Sequence, residues 1–228
     1  LGTQAAQIAS PIVRETSIPV VFSSSSPVRA GIVQTFRHHG EPLTGVANEN
    51  SVGRRVQLFR EMIPSTRRFF VPYNPQDAAP VTALTELLIV LKKARIRAIT
   101  QAVRDSTELA LALSFIPPDI QGIFVLPDPL VGSFMSMVVD SAMVRGIPVC
   151  GPNAVAAEEG ALLSYGPDSF GDGKILARLV HQILKGADPC SLPVEVSPSI
   201  LVINKRSAEK LHMSIPEEII NQADRVID

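Results

Sequence analysis

Residues 23–26 are four consecutive serines ahead of Pro27. Their hydroxyls, with the backbone amides that a helix starting at Pro27 leaves free, suit a carboxylate or another anion. The same residues also read as a helix cap with spare turn serines. Tyr73 and Asn74 close an apolar run ahead of Pro75. They offer an aromatic wall and an amide, or an Asn-Pro turn with a packed tyrosine. Asp128 stands between Pro127 and Pro129. A carboxylate there suits an ammonium or a hydroxyl donor. It equally suits the cap of the next helix, with Pro129 where a missing N–H does no harm. Asn153 and Tyr165 belong to two further strand ends. The candidate ligand-binding residues are therefore Ser24, Ser25, Ser26, Tyr73, Asn74, Asp128, Asn153 and Tyr165.

Signatures of catalysis are missing. There is no Gly-x-Ser-x-Gly elbow, no phosphate loop ending in Gly-Lys-Ser or Gly-Lys-Thr, and no Gly-x-Gly-x-x-Gly fingerprint. No nucleophile is proposed with its base, so the expectation is binding without turnover, with no catalytic residue and no cofactor. His38 and His39 invite a metal, but adjacent side chains in a loop rarely converge and no cysteine or carboxylate cluster has ligand spacing around them. A solvated loop, with no metal, is the expectation there. His181 and His212 read as helix-surface residues. The pairs Arg67-Arg68 and Lys92-Lys93 read as solvated flanks of core elements.

The elements that position these residues follow from hydrophobic period. Residues 122–126 form an unbroken apolar run, as expected of a strand buried on both faces in a helix-covered parallel sheet. The same grammar recurs at 19–22, 68–71 and 148–150, each run followed by polar or turn residues. Parallel strands would gather these polar ends at edges facing one crevice, where open α/β folds bind ligands. Between 67 and 150 the pattern predicts strand 67–73, helix 80–93, strand 95–101, helix 106–115, strand 122–126, helix 133–145 and strand 147–150. That repetition implies a parallel sheet wound with right-handed crossovers. Around this block, helices are expected at 1–17, from Ser26-Pro27 to Phe36, at 51–63 and at 172–185. In the helix over 51–63, Val52, Val56, Phe59 and Ile63 form the core face, with Arg54, Arg55, Gln57 and Glu61 on the others. Short strands are expected at 43–46, 161–166, 193–196 and 200–203, with closing helices over 207–213 and 216–227. A helix that feeds a buried strand at the start also suggests that part of the first unit lies upstream of Leu1.

Composition narrows the partners. The 228 residues are 46% hydrophobic and 19% charged, with 21 Lys plus Arg against 22 Asp plus Glu. Near-neutral balance gives no phosphate-tracking surface, so nucleic acid is not expected. No run approaches the roughly 20 continuous apolar residues of a membrane span. Cys150 at a strand end reads as a buried free thiol and Cys190 as a loop residue, since nothing in their spacing asks for a bridge.

Taken in order, Ile18-Pro-Val-Val-Phe with its serine turn and Pro27-Val28, then Leu43-Thr-Gly-Val46, Tyr73-Asn-Pro75, Val125-Leu-Pro-Asp-Pro129, Leu163-Ser-Tyr-Gly166, Ile183-Leu-Lys-Gly186, Leu192-Pro-Val194 and Leu201-Val-Ile-Asn204 form a series. Over nearly the whole chain it resembles the ABC transporter substrate-binding proteins of the tryptophan- and tyrosine-type group. The resemblance implies an α/β, type I periplasmic-binding-protein-like fold: two doubly wound parallel-sheet lobes with a hinge, the first lobe incomplete at its N-terminus. It places 1–47 and 166–187 in lobe one, and 48–165 and 188–228 in lobe two. It implies a periplasmic or extracytoplasmic protein that holds a small organic solute, an amino acid or similar organic acid, between its lobes for delivery to permease subunits. It also allows a lipid anchor upstream of Leu1. Family members usually carry Asp-Pro where this sequence has Ser26-Pro27, and often Gly-Gly-Asn where it has residues 39–43. Loss of that carboxylate changes what charge the ligand can carry. The effector domain of a transcriptional regulator shares the architecture and is the alternative.

Overall fold

The computed structural model describes residues 2–16, 18–37, 40–48 and 51–228. His38 and His39 lie outside them. In chain order the elements begin with α1 (Thr3–Thr16), β1 (Val20–Ser25), β2 (Leu43–Asn48), α2 (Val52–Met62), β3 (Arg68–Tyr73), α3 (Ala78–Ala94), β4 (Arg97–Ala102) and α4 (Ser106–Ser114). They continue with β5 (Gly122–Phe124), α5 (Pro129–Ser133), α6 (Met135–Met143), β6 (Val149–Gly151), α7 (Ala154–Glu158), β7 (Leu163–Pro167) and α8 (Ser169–Leu184). The last are β8 (Glu195–Val196), β9 (Ser199–Asn204), α9 (Lys205–Lys210), α10 (Glu217–Gln222) and β10 (Arg225–Ile227).

The chain divides into two compact units. One is Leu1–Asn50 with Pro167–Ser199, the other Ser51–Gly166 with Ile200–Asp228. In the first, β1, β2 and β8 form a parallel sheet in the order β1-β2-β8. Its core gathers Ala6 and Val13 of α1, Phe22 of β1, Leu43 and Ala47 of β2, and Ile32 from the segment between the strands. Residues 188–199, expected with the second lobe, fall in this unit because β8 pairs with β2. Gly45 sits where β1 approaches most closely: a Cβ there would lie 2.0 Å from the Phe22 carbonyl oxygen.

The second unit is built on a seven-stranded sheet in the order β10-β9-β7-β6-β5-β3-β4. The pairs β3–β4, β3–β5, β5–β6, β6–β7 and β9–β10 are parallel. Successive residues of a strand point to opposite faces, and here both faces are buried. Phe69 and Phe124 join one core cluster while their neighbours Phe70 and Ile123 join the other. That two-sided burial is why these strands read as unbroken apolar runs. Phe59, Phe69 and Phe124 meet edge to face, with centroids 4.9 and 5.6 Å apart. Phe59 and Phe69 close over Gly122, where a Cβ would lie 2.5 Å from the Phe59 ring.

Several expectations are corrected. No helix runs from Pro27 to Phe36: Ser26 adopts a left-handed φ of 49° instead of a cap conformation. A single turn, closed by Ala30 N–H to Ser26 O and Ile32 N–H to Pro27 O, ends at Gly31 with φ 71°. Ile32 and Val33 then bury themselves without helical geometry. The helix predicted over 133–145 is α6, shorter at both ends, and a separate one-turn helix, α5, precedes it and breaks off at Phe134. The closing helix over 216–227 stops at Gln222, because β10 pairs with β9 and Asp224 accepts the Leu201 N–H at 2.7 Å. Arg55 is not on a solvated face: it is 1% exposed. Cys150 and Cys190 are free thiols, as expected.

Candidate functional site

In the first unit the polar residues sit where β1 and β2 end together, Ser25 opposite Asn48. Residues paired across parallel strands share a face, so Ser23, Ser25 and Asn48 point one way and Ser24 the other. Ser24 is buried against α1, its hydroxyl donating to Thr3 Oγ1 at 2.9 Å. Thr3 Oγ1 also accepts the Ser25 N–H at 3.2 Å. Ser26 donates its N–H to the Asn48 carbonyl at 3.3 Å. Ser25 keeps an exposed side chain. The predicted anion site needed amides at a helix start, and no helix starts there, so hydroxyls are what this end of β1 presents. Asn48, which the sequence reading passed over, donates Nδ2 to Ser23 Oγ at 3.2 Å. Its neighbouring position at the end of a strand was the signal available.

The other candidates belong to the second unit and cluster by strand adjacency. Asn74 follows β3, Asp128 follows β5, Asn153 follows β6 and Tyr165 lies in β7, four strands that are neighbours in the sheet. Asn74 and Asp128 are in direct contact: the Asn74 N–H donates to Asp128 Oδ2 at 2.6 Å. Asp128 Oδ1 accepts the N–H groups of Leu130 and Val131 at 2.9 and 3.2 Å, capping α5. The carboxylate is 5% exposed, and backbone amides take both its oxygens. It ties β3 to α5 rather than standing free as an ammonium partner. Asn74 Oδ1 accepts the Gln76 N–H at 2.9 Å, an Asx turn, and Asn153 Oδ1 caps α7 through the Ala156 N–H at 3.2 Å. Tyr73 and Tyr165 are half-buried and pack on the same core cluster.

Burial raises the Asp128 carboxyl above its ordinary 3.8, against the lowering effect of the Asn74, Val131 and Leu130 amides, and Asp77 adds to the rise. A raised folded-state value means that the folded chain holds this proton more tightly than the unfolded chain. The associated stability is complete below pH 3.8 and is lost as pH rises through the folded value. Relative to Asp128→Asn, which cannot titrate, the urea midpoint of the wild type should therefore fall as pH climbs from 3.8. A difference that stays flat or grows over that range would contradict the assignment.

Arg55 is the residue that sequence reading missed most completely. From the first turn of α2 its guanidinium lies 4.4 Å from the Phe124 ring centroid, and Nη1 donates to the Val125 carbonyl at 2.6 Å. Nη2 is buried with no hydrogen-bond partner. Burial lowers its pKa to about 10, with Cys150 acting the other way. The Cys150 thiol is pushed up to about 12 by its own burial. A neutral thiol beside a cation is no nucleophile pair, since it is the thiolate that reacts. Among the described residues no group of three His, Cys, Asp or Glu side chains is placed to hold a metal.

Both sheets thus carry polar residues at the ends of their strands. The sequence pattern of the family described as ABC transporter substrate binding protein matches residues 1–227. The chain belongs to that family. A crystal structure of a conserved domain protein from Vibrio cholerae superposes with a TM-score of 0.88 at 31% identity, covering 99% of this chain and 76% of that one. The ABC domain from Streptococcus pneumoniae in complex with L-Trp superposes with a TM-score of 0.86 at 28% identity, covering 99% and 78%. The tyrosine-binding protein of Clostridioides difficile is 24% identical over 198 residues. That match takes in 86% of this chain, which spans 57% of the length of that relative. The fold is the type I periplasmic-binding-protein-like α/β fold of this family. Among the described residues no helix is long and apolar enough to cross a membrane.

Proposed function

We propose that the chain works outside the cytoplasmic membrane as the solute-binding component of an ABC transporter. It captures a small organic solute, an amino acid or similar organic acid, and presents it to permease subunits. Membership of the substrate-binding family carries this reading, and the relatives named for tyrosine and for bound L-Trp favour an amino acid. Polar groups at the strand ends of each unit support it physically. Ser23, Ser25 and Asn48 offer hydroxyls and an amide from the first. The second offers the ends of β3, β5, β6 and β7, held rigid by Asp128 and Asn153. Binding without chemistry is the role such a site fits, because among the described residues no activated nucleophile accompanies it. A ligand held by such polar groups selects the state that makes the most contacts with it, and a permease can then distinguish loaded from empty chain.

A thermal-shift panel of the twenty amino acids, aromatic acids and simple sugars tests the reading. A ligand at 100 times its Kd stabilises by about 2.7 kcal/mol. For a chain of this size that is a rise of about 5–10 °C. One amino acid or organic acid is expected to give it. A panel without any shift overturns the proposal.

A further inference from the structure

We propose that the second unit docks on an anionic lipid surface through the end of its sheet at which β3, β4, β5 and β6 begin. This goes beyond solute binding and does not depend on which solute the chain holds. The four strands are neighbours and parallel, so their starts lie together. Six exposed cations gather there. Arg60 lies in the last turn of α2, and Lys92 and Lys93 in the last turn of α3. Arg95 follows α3 with a left-handed φ of 57° and turns the chain into β4, which opens at Arg97. Arg97 donates its N–H to the Arg67 carbonyl at 2.9 Å, and the register sets it beside Arg68 at the start of β3.

Cations at helix C-termini complement the helix dipole, so their position alone assigns them no partner. The charge balance and the apolar neighbours do. Asp119, in the loop before β5, pairs with Arg68, and Glu61 accepts from Gln57 at 2.7 Å and pairs with Arg54 at 3.7 Å. Among the described residues none of the six cations makes an ion pair. One exposed carboxylate, Asp140 in α6, stands against them. The formal net charge of the whole chain is −1, so the positive concentration is local.

The two most exposed large apolar side chains of this unit stand at the same end. Phe115 is 75% exposed just past α4, ahead of β5, and Val144 is 87% exposed just past α6, ahead of β6. Their loops touch, because Arg145 Nη2 donates to the Ser114 carbonyl at 3.2 Å. Arg60 and Lys93 also border a groove of about 530 Å3 floored by Val56, Pro64, Val90 and Ala94. A phosphate held by that pair therefore has apolar surface beneath it. Apolar side chains held out in water among cations match a bilayer interface, where the former enter the acyl boundary and the latter meet phosphate. A nucleic acid duplex offers phosphates without an apolar boundary for Phe115 and Val144.

The test is co-sedimentation of the 228-residue chain with vesicles of phosphatidylcholine alone and of equal parts phosphatidylcholine and phosphatidylglycerol. Wild-type chain should bind the mixed vesicles and not the neutral ones. Binding should vanish between about 0.1 M and about 1 M salt, as the screening length falls from about 10 Å to about 3 Å. Each cation near such a surface is worth about fivefold, so a variant with Lys92→Gln, Lys93→Gln, Arg95→Gln and Arg97→Gln should bind about 100-fold more weakly or worse. A Phe115→Ser, Val144→Ser variant should lose about tenfold and keep the salt dependence. All these positions are exposed, so urea midpoints should stay with the wild type, and a solute found by thermal shift should shift each variant as it shifts the wild type. Wild-type chain left in the supernatant, equal binding to both vesicle types, or a four-cation variant within threefold of wild type overturns the inference. A Phe115→Ser, Val144→Ser variant as tight as wild type overturns the lipid assignment in favour of a polyanionic partner.

Discussion

Gly45→Ala should cost more than about 4 kcal/mol, in the range reserved for severe single substitutions. A methyl at this position would lie 2.0 Å from the Phe22 carbonyl oxygen and 2.8 Å from its carbon and nitrogen. All three are backbone atoms of the adjoining strand, so no side-chain rotation relieves the overlap. β1 and β2 must separate, and the hydrogen bonds between them go with the separation. In a chain whose total stability is of order 5–15 kcal/mol, a loss of that size unseats the sheet. Urea denaturation should show the midpoint collapse, and hydrogen exchange should find the amides of β1 and β2 unprotected. Because Ser23 and Asn48 hold their positions through this strand pair, any solute bound there would be lost too. A variant within about 1 kcal/mol of wild type would contradict the close approach.

The second large effect separates two neighbours of opposite character. Phe124 is fully buried, and its ring supports both Phe69 and the Arg55 guanidinium. Truncation of such a ring costs about 3–5 kcal/mol, and the lost edge-to-face pair adds about 0.5–1.5 kcal/mol. Phe124→Ala should therefore lose about 5 kcal/mol in urea. Arg55→Met, at the guanidinium 4.4 Å from that ring, should behave differently. It removes a buried cation whose Nη2 has no partner, keeps most of the volume, and sacrifices one hydrogen bond to Val125. Replacing buried charge with packed apolar atoms is often neutral or stabilising. A change within about 1 kcal/mol is expected once the Val125 carbonyl is left without its donor. If Arg55→Met costs as much as Phe124→Ala, the guanidinium has a role that its contacts do not account for.

The contrast between these two residues shows what a linear reading can reach. Phe69, Phe70, Ile123 and Phe124 announced two-sided burial because they lie in the unbroken apolar runs 69–72 and 122–126, and the parallel sheet followed from that period. Arg55 gave no such signal. Its helix carries a recognisable stripe at Val52, Val56 and Phe59, but Arg55, Leu58 and Met62 bury a second flank that the stripe does not predict. Ser26-Pro27 looked like a helix start because both residue types favour one, and the left-handed Ser26 and Gly31 overrode that local preference. At the site, residue type located Asn74, Asp128 and Asn153 at strand ends correctly, yet each turned out to have its side-chain oxygens committed to nearby backbone amides.

The different settings of the two sulfurs carry a practical consequence. Cys150 is sealed within the second unit, where burial pushes its thiol up to about 12, whereas Cys190 is partly open in the short turn at Pro189–Ser191 of the first, its thiol also raised by its surroundings and Asp188 but within reach of solvent. A maleimide dye at neutral pH will therefore find one attachment point in the native chain, on the unit that bears Ser25 and Asn48, without any engineered cysteine.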